Sequence, residues 1–322
     1  MTTTQEITRA DRTPVRVRHE LRFRNLEVRD VTQITPNLVR VTLGGDELAG
    51  FVSSGFDDHV KVFFPDALTG EITLPNIAIG AEERKGPRVD DGSPRPLMRD
   101  YTPHHFDAKA NTLQIDFVLH DAGPATAWAR QAKPGQRLGV GGPRGSFMMT
   151  TDFDWHLLIG DATALPAITR RLAELPVGSK AVVLLEVETP EDEIALTSSG
   201  QLSVTWVHRN PANGKAATTL AEALKTLAKA GLPNGDFYAW IACESLTAKA
   251  LRAQLIAENG ANPKWTKAAG YWKEGNVAVH DKHEDGATLT HSPSSTDRSP
   301  PLPPPLQSSA ATDHARHRQT SR

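Results

Sequence analysis

The sequence predicts a two-part fold, a small antiparallel β domain followed by an open α/β domain, and three observations carry that prediction. From Leu21 to Phe147 apolar residues recur with a period of two, the pattern of short half-buried strands. After Thr151 short apolar runs alternate with helical segments, which implies a parallel sheet with crossover helices. The length, 322 residues, suffices for two domains of ordinary size, each with its own core.

In the first part, Val39, Val41 and Leu43 alternate with Arg40 and Thr42; Val60, Val62 and Phe64 repeat the pattern, as do Leu113, Ile115, Phe117 and Leu119. Between them the Pro/Gly/charge segment from Pro75 to Pro96 is too polar for core and too long for a hairpin, and reads as a surface insertion. In the second part the runs His156 to Ile159, Ala181 to Leu185, Val204 to Val207 and Tyr238 to Cys243 are buried strands. Helices are expected over Ala164 to Leu175, over Thr218 to Ala230, and after Ser245 as N-cap. In the second of these Leu220, Ala223, Leu224 and Leu227 share a face and Gly231 supplies the stop. The boundaries follow: 1–18 disordered, 19–150 the β domain, 151–280 the α/β domain, and 281–322 a disordered tail with the Pro-rich run from Ser299 to Pro305.

Composition narrows the chemistry. With 39% hydrophobic and 23% charged residues the chain reads as soluble and globular, no stretch is apolar for long enough to span a bilayer, and Met1 to Arg18 lacks the apolar stretch of a secretory signal. Cytoplasm is therefore the expected compartment. Cys243 is the sole cysteine, which excludes an intrachain disulfide and a thiolate-only cluster, so a cofactor would be organic. The net charge of -2, from 36 basic and 38 acidic residues, gives no reason to expect nucleic acid or an anionic membrane as partner.

Three segments could hold a ligand. Arg99-Asp100-Tyr101-Thr102 puts a guanidinium and a phenol on one side of an extended chain, able to meet a phosphate and an aromatic ring system, although an ordinary edge strand could carry the same residues. Asp116 to His120 then runs through Gly123-Pro124 into a short helix, with Pro124 suited to its first position; free amides around Ala125 and Thr126 would suit an anion such as a pyrophosphate. Trp128 reads as core. The glycine-dense stretch Pro134 to Phe147 permits a tight turn and close backbone approach and carries Arg144, a cation without an evident packing role.

In this order, and with Gly160-Asp161-Ala162-Thr163-Ala164-Leu165-Pro166-Ala167 and Gly270-Tyr271-Trp272-Lys273-Glu274-Gly275 downstream, these motifs resemble the siderophore-interacting proteins, flavin-dependent ferric-siderophore reductases related to ferredoxin-NADP reductases. The resemblance spans about residues 20 to 276 and implies an N-terminal FAD-binding antiparallel β-barrel and a C-terminal Rossmann-like, NAD(P)-binding-like parallel-sheet domain. It implies that Arg99, Tyr101 and Thr102 bind the flavin and its phosphates, that Asp116, Phe117, Val118, His120, Gly123, Ala125 and Thr126 line the rest of the FAD, and that Thr163 approaches from the second domain. Lys61, Arg144 and Lys273 match the family's basic pocket for the ferric siderophore; multiply anionic chelates would be drawn to such a pocket.

The implied activity is reduction of chelated Fe(III) to Fe(II) for iron release, with electron transfer by the flavin and no catalytic acid or base. NADPH, NADH and reduced ferredoxin all stay open as donor, because Gly160 to Ala164 is not a dinucleotide glycine fingerprint. An NAD(P)H-dependent flavin oxidoreductase with another acceptor, or a non-enzymatic siderophore or flavin binder, would share the flavin motif. Two departures touch the family pattern: Asp121 and Cys243 stand where glycine is common. Cys243 reads as a small buried residue, and His104, His105 and the tail histidines as solvent-facing.

Overall fold

The computed structural model describes residues 12–75, 96–120, 123–212, 215–275 and the backbone of 281–283. Most of the Pro75 to Pro96 insertion, Asp121, the Pro-rich run and the tail histidines lie outside the described residues. The strands are β1 (Val15–Arg18), β2 (Phe23–Thr35), β3 (Leu38–Gly44), β4 (Val60–Phe63), β5 (Met98–Tyr101), β6 (Pro103–Asp107), β7 (Thr112–Val118), β8 (Arg137–Gly141), β9 (Gly145–Met148), β10 (Trp155–Asp161), β11 (Lys180–Val187), β12 (Gln201–His208), β13 (Phe237–Glu244), β14 (Thr266–Trp272) and β15 (Asp281–His283). The helices are α1 (Pro124–Ala129), α2 (Leu165–Glu174), α3 (Leu220–Ala230) and α4 (Ser245–Glu258).

The period-two segments form one antiparallel sheet in the order β5-β4-β8-β2-β3-β7-β6, a half-barrel closed over a single apolar cluster. Alternation decides which side chains enter it: Val41 and Leu43 of β3, Val60 and Val62 of β4, and Leu113 and Ile115 of β7 are fully buried. The second part is a sheet in the order β12-β11-β10-β13-β14-β15, parallel except for β15. Its inner strands β10 and β13 are covered on both faces and are apolar almost throughout, as parallel strands between helices must be. In α3 a Thr219/Glu222 capping box starts the helix and Gly231, at φ 106°, ends it in a conformation that glycine adopts without strain.

Four local expectations need correcting. Val15–Arg18 is a strand paired with β9, and Asp281–His283 pairs with β14, although both fall in stretches expected to be disordered. The partner of β1 is distant in sequence, so local polarity does not reveal it, whereas β15 folds back on β14, the strand that precedes it. In the same N-terminal stretch, Arg12 is buried by bonds to Asp152 O (2.7 Å) and Asp236 (2.9 Å) and by the rings of Phe153 and Trp265. The N-cap of α4 is Glu244, whose carboxylate accepts from Thr247 N (2.9 Å), while Ser245 is the first helical residue and is buried. His104 is half-buried, with Nδ1 3.3 Å from Asp116 Oδ2, and its pKa is lowered chiefly by burial.

The two sheets belong to one compact unit. Arg171 of α2, 1% exposed, donates to Met149 O (3.0 Å) and Thr150 O (2.6 Å) in the link between β9 and β10. Asp192 accepts from Thr35 Oγ1 (2.8 Å), Asn37 N (3.0 Å) and Asn37 Nδ2 (2.9 Å), tying the β2–β3 turn to the parallel sheet.

His156 on β10 is fully buried, and desolvation, then the nearby Arg171 charge, pull its pKa down from 6.5 to about 4. The fold therefore accepts the neutral ring. That contribution is complete above pH 6.5 and is lost as the pH falls from 6.5 towards 4, up to about 3 kcal/mol. Denaturant titrations across this window are expected to show a stability loss that His156→Leu reduces by about that amount.

Candidate functional site

β5 and β6 are the two edges of the antiparallel sheet, yet they follow each other in the chain with only Thr102 between them. Arg99 to Thr102 therefore straddles the seam of the half-barrel. An edge strand offers unpaired backbone groups and access to both of its faces, which an interior strand cannot.

The register sorts the side chains of this seam. Lys61 lies opposite Asp100, with Nζ 2.8 Å from Oδ1, while Val60 lies opposite Tyr101 and Val62 opposite Arg99. Lys61 and Asp100 thus share one face, and Arg99 and Tyr101 the other. A ligand touching both groups has to lie along the β5 edge.

On the inner face Tyr101 joins an aromatic cluster. Its ring centroid lies 4.5 Å from that of Phe117, and Phe117 and Phe64 both meet Trp128 of α1, at 5.6 Å and 5.8 Å. Burial raises the Tyr101 phenol pKa, with the Arg99 charge acting against it. Arg99 is half-buried, hydrogen-bonds to Met98 O (2.7 Å), and is paired with no carboxylate among the described residues. Trp128 is core, as expected.

Beyond β7 the chain reaches exposed His120 and then Gly123, whose φ of 130° precedes Pro124 at the start of α1. A Cβ on Gly123 would come within 3.2 Å of the His120 ring. Ala125 and Thr126 are buried, and Thr126 Oγ1 has no hydrogen-bond partner among the described residues. A buried hydroxyl left unbonded is costly and fits a polar ligand group at this turn. With the Arg99 guanidinium, which meets no carboxylate among the described residues, and the aromatic cluster, the residues present fit a flavin dinucleotide.

Two expected ligand residues are otherwise engaged. Asp116 is buried and takes a bidentate pair from Arg40 Nε (2.7 Å) and Nη2 (2.9 Å), and Phe117 is 1% exposed in the barrel core. Val118 at the end of β7 is half-buried.

The parallel sheet closes the seam from the other side. The Thr102 hydroxyl is bonded to the Tyr271 phenol of β14, and burial, then the Asp57 charge, push that phenol up. Arg170 of α2 donates to Pro103 O (2.9 Å), Ser53 Oγ (3.0 Å) and Ser53 O (2.8 Å). The turn carrying Thr163 packs against β7, with Thr163 N (2.9 Å) and Oγ1 (2.5 Å) donating to Asp161 Oδ1 and Trp272 Nε1 (2.6 Å) to Oδ2. Arg170, Tyr271 and Asp161 gave no individual sequence signal; the last two stood only within longer motifs.

Of the three expected pocket cations, Lys61 lies opposite Gly141 across the β4–β8 pair, and exposed Arg144 follows three residues later. Lys273 comes immediately after β14, two residues beyond Tyr271. The pairing of Lys61 with Asp100 was not anticipated.

At the carboxyl ends of the parallel strands, Arg209 holds Glu186 (2.7 Å) and lies over the Trp272 ring at 5.5 Å. Cys243 is 1% exposed, and burial, followed by the charges of Asp161, Glu186 and Glu244, pushes its thiol up, so it is a packing residue as expected. No described helix is long and apolar enough to cross a membrane.

Comparison with known proteins agrees along the chain. Residues 27–147 match the siderophore-interacting FAD-binding domain and residues 153–275 the siderophore-interacting protein family. The NADPH-dependent ferric-chelate reductase of Escherichia coli is 36% identical over 264 residues, 81% of this chain and 97% of that protein. The ferric vibriobactin reductase ViuB of Vibrio cholerae is 35% identical over 254 residues, 77% of this chain and 89% of that protein. The crystal structure of a siderophore utilization protein from T. fusca superposes with a TM-score of 0.72 at 38% identity, covering 83% of this chain and 98% of that one. The seam motif, the half-barrel, the parallel sheet behind it and these matches together make the chain a member of the siderophore-interacting protein family.

Proposed function

We propose that this protein is a cytoplasmic FAD-dependent ferric-siderophore reductase that draws its electrons from NADPH. The observation that carries the reading is the half-barrel seam, where Tyr101 packs on Phe117 and Thr102 bonds to Tyr271 of the parallel sheet, together with α1, which reaches the same aromatic cluster through Trp128 and whose buried Thr126 hydroxyl has no hydrogen-bond partner among the described residues. Arg99 and the Gly123 to Thr126 turn hold the pyrophosphate; Tyr101 and Thr102 hold the ring system; Val118 and His120 border it; and Thr163 approaches from the second sheet. Asp116 and Phe117 keep the wall in shape. FAD, when bound, supplies the chemistry of accepting a hydride and releasing its electrons singly.

Lys61, Arg144 and Lys273 form the site for the ferric chelate, lowering its cost of approach through their charge. The balance is one NADPH and two Fe(III) chelates giving NADP+, a proton and two Fe(II). Hard oxygen donors hold Fe(II) far less well than Fe(III), so reduction loosens the chelate. NADPH as donor is supported by the name of the Escherichia coli relative.

The test begins with purified protein. A flavin spectrum is expected, either as isolated or after adding FAD, with anaerobic bleaching by NADPH faster than by NADH or reduced ferredoxin and recovery of colour on adding a ferric chelate. Protein that takes up no FAD would overturn the reading, and faster bleaching by another donor would overturn its NADPH part.

A further inference from the structure

Asp57 and Asp58 are adjacent in the chain but serve different partners. Asp57 is tied to the parallel sheet: Oδ2 accepts from Lys267 Nζ of β14 (2.5 Å) and from Trp240 Nε1 of β13 (3.1 Å). The Lys267 ammonium also lies 4.2 Å from the centroid of the Phe147 ring. Asp58 is tied to the half-barrel and β9: Oδ2 accepts from Ser53 Oγ (3.0 Å), Gly55 N (3.0 Å) and Ser146 Oγ (2.7 Å). Ser53 in turn is held by Arg170.

The three segments that carry the pocket cations meet at this pair. Asp57 and Asp58 stand just before β4, which bears Lys61; Ser146 and Phe147 follow Arg144; Lys267 lies on the strand that ends before Lys273. The Asp57–Lys267 pair is withdrawn from water, with side chains 7% and 13% exposed. A buried ion pair is weak support for stability, because an apolar pair of similar size would serve as well, but its directional bonds suit it to holding a register.

We propose that Asp57 and Asp58 are positioning residues that set the spacing of Lys61, Arg144 and Lys273, and through it the preference for anionic over neutral ferric chelates. The inference rests on the proposed chelate site and deepens it.

The test compares steady-state reduction of a multiply anionic ferric tris-catecholate with that of a charge-neutral ferric tris-hydroxamate, alongside FAD content and melting temperature. Asp57→Asn is expected to raise KM for the tris-catecholate about tenfold while kcat moves by less than about threefold and KM for the tris-hydroxamate stays near parental. Lys267→Arg, which keeps the ion pair, is expected to retain more of the parental KM than Lys267→Met. If Asp57→Asn does not fold, Asp57→Leu combined with Lys267→Met removes both charges together and is expected to show the same KM rise. Folded, FAD-loaded variants with parental KM for both chelates, or an equal loss for both, would overturn the proposal. The combined Lys61→Ala, Arg144→Ala and Lys273→Ala variant separates the two levels: an unchanged KM for the tris-catecholate in that variant rejects the chelate site itself, whereas a raised KM there with a parental Asp57→Asn rejects only the positioning role.

Discussion

Replacing Lys61, Arg144 and Lys273 together by alanine is expected to raise KM for a ferric tris-catecholate about a hundredfold, as three cations facing a desolvated anionic ligand contribute on the order of 3 kcal/mol together. NADPH bleaching of the flavin should proceed at the parental rate, because none of the three lies in the proposed flavin cradle. The effect will not divide equally. Lys61 has a side chain 46% exposed and is already paired with Asp100, so screening by water and by that carboxylate reduces its share. Asp100→Asn should accordingly shift KM the other way, downward by about twofold. In the parental enzyme KM should climb with ionic strength, and in the triple variant it should stay flat. Stopped-flow reduction with and without chelate checks both halves; a triple variant with parental KM for the anionic chelate would remove the charge-based account of substrate choice.

Arg171→Met is expected to cost about 3 kcal/mol of folding stability and to lower Tm by about 5 °C for a chain of this size. The side chain is 1% exposed and its guanidinium bonds to Met149 O, Thr150 O and Glu174 Oε2 (3.2 Å) while lying over the rings of Phe56 and Tyr238. Methionine fills part of the volume but leaves two buried carbonyls without donors, and that loss dominates. Glu174→Gln should cost far less, since the glutamate is partly exposed and the carbonyl bonds survive. A thermal scan of FAD-loaded protein orders the three; equal melting of parent and Arg171→Met would show that the link between the sheets bears little of the stability.

Much of this architecture is legible locally. The alternation at Val39 to Leu43 and Leu113 to Leu119 placed strands where β3 and β7 run, and the helical face ending at Gly231 gave α3 its extent. These signals survive because period and capping are properties of neighbours in sequence. The strand Val15–Arg18, the burial of Arg12 and the pairing of Asp116 with Arg40 were not legible, because each depends on groups brought from far along the chain. The same limit hid Arg170, Tyr271 and the Asp57–Lys267 pair, charged or polar residues whose burial is affordable only through partners on the opposite sheet.

For Arg99 to Thr102 the division is sharp. Sequence by itself determined that a guanidinium, a phenol and a hydroxyl follow one another on an extended chain and that the motifs after them run in the family's order. Only the tertiary structure decided that these residues straddle the seam between the two edge strands, that Tyr101 faces the aromatic interior while Lys61 faces Asp100, and that Tyr271 closes on Thr102. Strand order and the face a residue presents are set by pairing between segments tens of residues apart, and that pairing exists only once the sheet has closed.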